Sequence, residues 1–206
     1  MLPAISIVRD ARRSGPVMAD GEDARLVAAL RAQDPAVARP LFKRFAPTIS
    51  RLLRRTLGPQ APIDVAVDVV LLCVFHRARR LQPRSDLRQF IVGATARVAR
   101  AELRQPAPPR SLSPRGWGPA RPRAAPEATA PQHQAVMRFY RILDRLNAAD
   151  RIAFVFHYVE GVVVRDVAAA LGSPTVVTRR RLERVLRTVH DGIRRDPFLR
   201  ELRGRS

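Results

Sequence analysis

The sequence predicts an all-α protein with two small helical domains joined by a proline-rich linker. Apolar residues recur at helical spacing on both sides of the middle of the chain, whereas the alternating pattern of strands is scarce. Residues 105–131 between them are rich in proline, alanine and arginine and show no apolar periodicity. The predicted order is a disordered N-terminal extension at 1–21, a helical bundle at 22–104, the linker at 105–131, a second helical domain at 132–195 and a C-terminal tail at 196–206.

The first domain is predicted to contain four helices, near 20–33, 35–57, 62–81 and 85–104. Asp34-Pro35, Gly58-Pro59 and Gln82-Pro83 separate them, and such short connections favour a compact bundle. Pro40 should kink or delay the second helix because it lacks a backbone N–H. The predicted core residues are Leu26, Val27 and Leu30, then Leu41, Phe42, Phe45, Ile49, Leu52 and Leu53, and finally Leu87, Phe90, Ile91, Ala94, Val98 and Leu103.

In the second domain, a short apolar helix, a Gly-Ser-Pro break and an arginine-rich helix follow one another between Arg165 and Val189. Gly172 suits the left-handed position that ends a helix. Ser173 can cap the next helix, and Pro174 suits its first position, where no N–H is needed. This outline predicts a helix-turn-helix, the motif that inserts its second helix into the major groove of DNA.

The second helix of this motif separates apolar from cationic residues. At about 100° per residue, Thr178, Leu182, Val185 and Val189 share one face. Arginines 180, 184 and 187 lie almost opposite. A solvated arginine face remains the alternative, because arginine is common on surface helices, but the tight turn favours DNA reading. The last helix of the first domain also projects arginines, and its outer side could touch DNA.

Composition supports a polyanionic partner. The chain has 38 basic and 18 acidic residues, a net charge of +20 and a pI near 11.8. Such a charge favours nucleic acid or acidic membrane surfaces. No apolar run approaches the roughly 18 residues that a membrane span needs. The one cysteine, Cys73, excludes a disulfide framework within the chain and fits a reducing cytoplasm.

An enzyme is not expected. The four histidines are scattered, with no cysteine or carboxylate at metal-ligand spacing, so no metal site is predicted. The chain also lacks a glycine-rich phosphate loop and a nucleophile elbow. We therefore predict no catalytic residue and no cofactor.

From about residue 22 onward, the order of these parts resembles the extracytoplasmic-function (ECF) sigma factors of bacterial RNA polymerase. The segment EDARLVAALRAQDPAVARPLFKRFAPTISRLLRR at 22–55 is similar to the opening helices of the family. The segment IDVAVDVVLLCVF at 63–75 resembles the helix that binds the polymerase clamp helices. The resemblance implies that Asp64, Val67 and Asp68 contact polymerase, with Val67 standing where the family usually has glutamine.

Two further segments resemble the DNA-binding parts of the family. LRQFIVGATARVARAELRQ at 87–105 is similar to the segment that melts the promoter −10 element, although helical spacing favours Phe90 as a core residue. Residues 138–186 resemble the domain that reads the −35 element. The resemblance implies −10 contacts by Arg88, Phe90, Arg97, Arg100 and Arg104, and −35 contacts by Thr175, Val176, Arg179, Arg180 and Arg184.

The resemblance implies a sigma factor that binds bacterial core RNA polymerase and promoter DNA without bond chemistry of its own. An anti-sigma factor is left open as a third partner. The alternative is a degenerate sigma-like protein that regulates by binding DNA, or acts as a scaffold, without binding polymerase. Binding to core polymerase separates these two hypotheses.

Overall fold

The computed structural model describes residues 21–81, 86–104 and 130–204, and every regular element in these ranges is helical. Short 3₁₀ turns cover Pro35–Val37 and Ala78–Arg80, and a π-helical turn covers Val155–Val159. The all-α prediction is confirmed. The helices are α1 (Gly21–Arg31), α2 (Ala38–Leu57), α3 (Ile63–Arg77), α4 (Leu87–Arg104), α5 (Ala130–Leu143), α6 (Ala148–Phe154), α7 (Val164–Leu171), α8 (Thr175–Arg195) and α9 (Pro197–Gly204).

The four helices predicted between 20 and 104 are present, and most of their predicted core residues are buried. Phe90 and Leu103 are half-buried against the core. Phe42 is a wrong prediction, since its side chain is 52% exposed. It lies about 100° around α2 from the buried Leu41, at the edge of the apolar stripe.

Two prolines in α2 have different positions. Pro40 delays the helix as expected: a 3₁₀ turn precedes α2, which begins at Ala38 and holds Pro40 in its first turn. The N–H groups of a first turn have no intrahelical acceptor, so Pro40 removes no hydrogen bond there. Pro47 lies inside the helix.

Helix α4 connects the two halves of the molecule. It packs against α2 and α3 on one side and against α6 and α7 on the other. Small residues allow this close approach: a Cβ placed on Gly93 would lie 4.0 Å from the Cα of Ala170. The buried residues of both halves therefore form one hydrophobic core.

The turn between α7 and α8 follows the prediction in part. Gly172 adopts the left-handed conformation, with φ 63° and ψ 40°, and ends α7. Ser173 does not cap α8, contrary to the prediction. Pro174 is the N-cap residue, because its ψ of 145° is extended and its carbonyl accepts the N–H of Thr178 at 2.9 Å. The helix therefore begins one residue later than predicted.

The C-terminal segment 196–206, predicted as a tail, contains α9, which packs against α5 and α8 through the buried Leu199. The last residues of the predicted linker belong to α5. The predicted N-terminal extension, apart from Gly21, and the linker from 105 to 129 lie outside the described residues. Within the described ranges, no helix is long and apolar enough to cross a membrane.

Candidate nucleic-acid and protein interfaces

The N-terminal turns of α8 form an open cationic surface. The predicted packing face is confirmed, because Thr178, Leu182, Val185 and Val189 are all buried. The side chains of Thr175, Val176, Arg179 and Arg180 are exposed on the other side, with Val176 63% exposed. A helix fixed through one face, with exposed polar and cationic residues in its first turns, has the geometry of a recognition helix.

Arg184 differs from the other predicted contacts on α8. Its guanidinium Nη2 lies 3.4 Å from the carboxylate of Asp150, and the Nε of Arg181 lies 3.5 Å from the same group. Asp150 is buried and is also held by the side-chain amide of Asn147, which caps α6. Arg184 is therefore tethered to the base of the motif, although its side chain remains 61% exposed.

The arginines predicted for the −10 element are distributed along α4 rather than gathered. Arg88 and Arg104 are exposed near its two ends, about 24 Å apart at the helical rise of 1.5 Å per residue. Phe90 and Arg97 line a groove of about 260 Å³ between α4 and α7, to which Ala169 of α7 contributes. Arg100 points its Nη2 at the carbonyl of Leu171, 3.5 Å away.

Arg97 brings positive charge to the groove, whose lining also includes the carboxylate of Asp86. Burial, and then the nearby charge of Arg77, lower the pKa of Arg97 from its usual value. No described carboxylate forms an ion pair with Arg97. Two neighbouring guanidinium groups beside an aromatic ring suit a phosphate and a base. In this arrangement, however, α7 closes one side of the groove.

The outer face of α3 presents carboxylates and aliphatic side chains together. Asp64 and Asp68 are exposed, as an interface requires. Val67 is only 4% exposed and belongs to the core, so the prediction that it contacts a partner is wrong for this conformation. The position is one turn from the buried Val70 and Val74, on the inward side of the helix.

An exposed apolar stripe on the same face of α3 was not predicted from the sequence. Val65, Val69 and Leu72 are 64%, 40% and 58% exposed. Their spacing of four and three residues places them in one row. The available signal was that this helix is apolar on every side, which indicates burial against more than one surface.

The polar contacts between the two halves were not predicted either. Glu160 is only 5% exposed and pairs with two arginines of α2. Arg151 is equally buried and donates to backbone carbonyls at the end of α2. A charged residue that breaks an apolar pattern can signal such a contact, but the sequence does not name its distant partner.

Comparison with known proteins gives two matches of different kinds. No protein-family model matches the chain. The ECF RNA polymerase sigma factor SigD, from Mycobacterium bovis and Mycobacterium tuberculosis, is 28% identical over 177 residues, covering 82% of this chain and 82% of SigD. CnrH, solved in complex with the cytosolic domain of CnrY, shares the fold with a TM-score of 0.62 and 15% identity. That alignment covers 84% of this chain and 98% of CnrH.

The two matches each cover most of the chain. The similarity to SigD spans most of both sequences, and the all-α fold is shared with CnrH across nearly the whole of that protein. The low identity and the absence of a family match mark the chain as a distant relative. The chain is thus similar in sequence to an ECF RNA polymerase sigma factor over most of its length, and it shares the all-α fold of CnrH.

Proposed function

We propose that this chain is an RNA polymerase sigma factor that directs promoter recognition and transcription initiation. The observation that carries the proposal is the helix-turn-helix of α7 and α8, in which Gly172 makes the turn and the first turns of α8 are open and cationic. The similarity to a sigma factor supports the same role. The proposed partners are core polymerase through α3, the −10 element through α4 and the −35 element through α8.

The outer face of α3 suits a protein partner. A row of three large exposed aliphatic residues is unusual on a monomer and marks an interaction surface. Asp64 and Asp68 lie beside this row on a chain whose net charge is +20. The two carboxylates favour a partner with basic residues around an apolar strip, because complementary charge fixes register and suppresses wrong partners.

Helix α8 suits sequence reading in the major groove. Arg179 and Arg180 carry the donors that bond guanine in a bidentate manner, each such contact giving about 1–3 kcal/mol of discrimination. Thr175 can bond a base edge or a phosphate, and Val176 can contact a thymine methyl group. Arg184, tethered by Asp150, fits a phosphate contact that fixes orientation.

Helix α4 suits melted DNA. Arg88, Arg97, Arg100 and Arg104 can hold the phosphates of a displaced strand, while Phe90 offers an aromatic surface to an unstacked base. The protein would stabilise the opened duplex by binding it and would form no covalent bond. By analogy with CnrH, which was solved with the cytosolic domain of CnrY, we also propose an anti-sigma protein as a regulatory partner.

The first test is binding to purified core RNA polymerase. We expect the wild-type chain to bind and the variant Asp64→Arg/Asp68→Arg to lose binding by at least about tenfold, because two charges at the interface are reversed. Asp191→Arg, on the exposed surface of α8, is the control for an added positive charge. Equal binding by all three proteins would contradict the assignment of α3.

Run-off transcription from sheared genomic DNA of the source organism then tests initiation. Reproducible new start sites that depend on the added protein would support a sigma factor and reveal its promoter. DNA binding without polymerase binding would instead favour the sigma-like regulator.

A further inference from the structure

The arginines in the first half of α8 fall into two groups. Arg179 and Arg180 are exposed, and no described carboxylate forms an ion pair with either of them. Arg181 and Arg184 lie against the carboxylate of Asp150, and their side chains are 25% and 61% exposed. One buried carboxylate therefore separates two arginines that are held from two that are free.

The position of Asp150 is set by α6 rather than by α8. Asp150 lies in the first turn of α6, and its backbone N–H donates to the Oδ1 of the N-cap residue Asn147 at 2.9 Å. The side-chain amide of Asn147 donates in return to the Oδ2 of Asp150 at 2.9 Å. A carboxylate in the first turn also interacts favourably with the helix dipole. The carboxylate is therefore a fixed point against which α8 is oriented.

The two held arginines make long contacts with this carboxylate. The Nη2 of Arg184 lies 3.4 Å from both oxygens of Asp150, and the Nε of Arg181 lies 3.5 Å from Oδ1. Charge-assisted hydrogen bonds between these groups are usually about 2.7–2.9 Å long. The attraction is therefore mainly Coulombic, and water screens it little because Asp150 is only 7% exposed. Such contacts restrain both guanidinium groups and still leave Arg184 able to reach a phosphate on its exposed side.

Non-specific attraction to phosphate competes with sequence reading on so basic a helix. Each arginine that is free to move onto a phosphate adds affinity for any duplex, whatever its sequence. The net charge of +20 strengthens this attraction over the whole chain. A restraint on Arg181 and Arg184 lowers the non-specific part of the affinity. A guanidinium held in one place also fixes the register in which the free arginines meet base edges.

We propose that Asp150 is a positioning residue that sets the sequence specificity of α8. Its carboxylate holds Arg181 and Arg184 back from non-specific phosphate contacts and keeps them in one orientation. Arg179 and Arg180 then meet the base edges in a single register. Asp150 acts through these arginines and makes no contact with DNA. This inference rests on the proposed function, because it names what determines the specificity of the same surface.

The variant Asp150→Asn tests the proposal, because it removes the charge with little change in shape and keeps the backbone N–H that Asn147 accepts. The matched control is Asp191→Asn, which makes the same change in net charge at an exposed position of α8. The full-length proteins are compared by fluorescence anisotropy on two probes, the promoter duplex recovered from run-off mapping and a scrambled duplex of the same composition. Each titration is repeated between about 50 and 200 mM salt.

We expect Asp150→Asn to bind the scrambled duplex at least about threefold more tightly than wild type, because the released arginines contact phosphates. The slope of log K against log salt should steepen by about 0.9 for each added phosphate contact. The ratio of the affinities for promoter and scrambled duplex should fall at least about fivefold, because bidentate contacts to bases need a fixed register. Asp191→Asn should keep the wild-type ratio. A merely structural role of Asp150 would weaken binding to both duplexes and would tighten neither.

The same substitution is then made in an Arg181→Gln/Arg184→Gln background, where no held arginine remains to be released. Asp150→Asn should no longer steepen the salt dependence there. Persistent steepening in that background, an unchanged ratio, equal weakening on both duplexes, or loss of helical circular dichroism in Asp150→Asn would each overturn the positioning role. If wild type yields no promoter or binds both duplexes equally, the proposed function itself fails. Discrimination by wild type that survives in Asp150→Asn overturns only the role of Asp150.

Discussion

Helices α4 and α8 both carry arginines on one side, yet the first turns of α8 are open to solvent whereas the middle of α4 is covered by α7. The cationic side of α8 lies away from the core, because its apolar face alone is used for packing. Helix α4 is central, so its cationic residues lie beside α7 and partly beneath it. The difference shows that similar charge patterns can belong to a surface that is ready for DNA and to one that must first be uncovered.

The largest effect is expected on promoter binding by the exposed first turns of α8. The variant Arg179→Gln/Arg180→Gln should weaken binding to promoter duplex by about 1–3 kcal/mol for each bidentate pair of hydrogen bonds that is removed, which is about fivefold or more. Fluorescence anisotropy with the duplex recovered from run-off mapping measures this weakening.

The matched control for the open helix lies at its other end. Arg194→Gln/Arg195→Gln removes the same two charges from exposed positions in the last turn of α8. We expect this control to lose only the non-specific, salt-dependent part of the affinity. Equal losses in sequence discrimination for the two variants would contradict the assignment of the first turns of α8.

A smaller effect is expected on the contact between the two halves when the ion pairs of Glu160 with α2 are removed. Partly exposed ion pairs contribute about 0.2–1 kcal/mol each, so the loss of both pairs in Arg51→Gln/Arg55→Gln should raise the population in which the two halves are separated by about two- to thirtyfold. The reporter is the labelling rate of Ala170→Cys in a Cys73→Ala background, because position 170 is only 8% exposed while the halves are in contact. Labelling should accelerate by the same factor.

Arg54→Gln is the control for the loosened interface. It removes one charge from the same turn of α2, and the exposed Arg54 takes part in this interface only through its backbone carbonyl. Its labelling rate should stay at the wild-type value. If Arg54→Gln accelerates labelling as much as the double variant, general charge repulsion rather than the Glu160 pairs would control opening.

The smallest effect is expected on the free energy of unfolding, from a change in the packing of α8 against α5. A Cβ on Gly192 would lie 2.7 Å from the Cγ2 of Ile142, a short and stiff side-chain branch. Overpacking costs about 1–3 kcal/mol, and alanine returns about 1 kcal/mol of helix propensity. Gly192→Ala should therefore lower the free energy of unfolding by about 1 kcal/mol in urea titration.

Gly21→Ala serves as the stability control, because a Cβ there would meet no atom within 4 Å. It should leave stability unchanged or raise it slightly. In an Ile142→Ala background, Gly192→Ala should no longer destabilise the protein. A persistent loss in that background would place its cause outside the contact between α5 and α8.

Local chemistry explains why much of the fold could be predicted. Gly172 was identified from the end of an apolar pattern, and the buried face of α8 from helical spacing. The start of α8 was predicted one residue too early. The ring of Pro174 fixes φ but leaves ψ free, and ψ is extended in the structure. The short helix α9 escaped prediction because its stability comes from packing of Leu199 against other helices.

The candidate site was predictable only in its residue types. The resemblance to the family indicated Arg97 and Arg179 alike, but it contains no information on what covers either side chain. Burial of Val67 and exposure of Val65 depend on which side of α3 faces the bundle, and an all-apolar helix does not reveal that side. The pairing of Glu160 with Arg51 joins residues 109 positions apart, which no local pattern specifies.

The most direct test of the proposed function measures binding to purified core RNA polymerase and initiation at reproducible start sites with the same protein samples. We predict that wild type and Asp191→Arg bind and initiate, whereas Asp64→Arg/Asp68→Arg loses both by at least about tenfold, because two charges on the outer face of α3 are reversed. Wild-type binding and initiation by the Asp64→Arg/Asp68→Arg variant would contradict the claim that α3 binds polymerase.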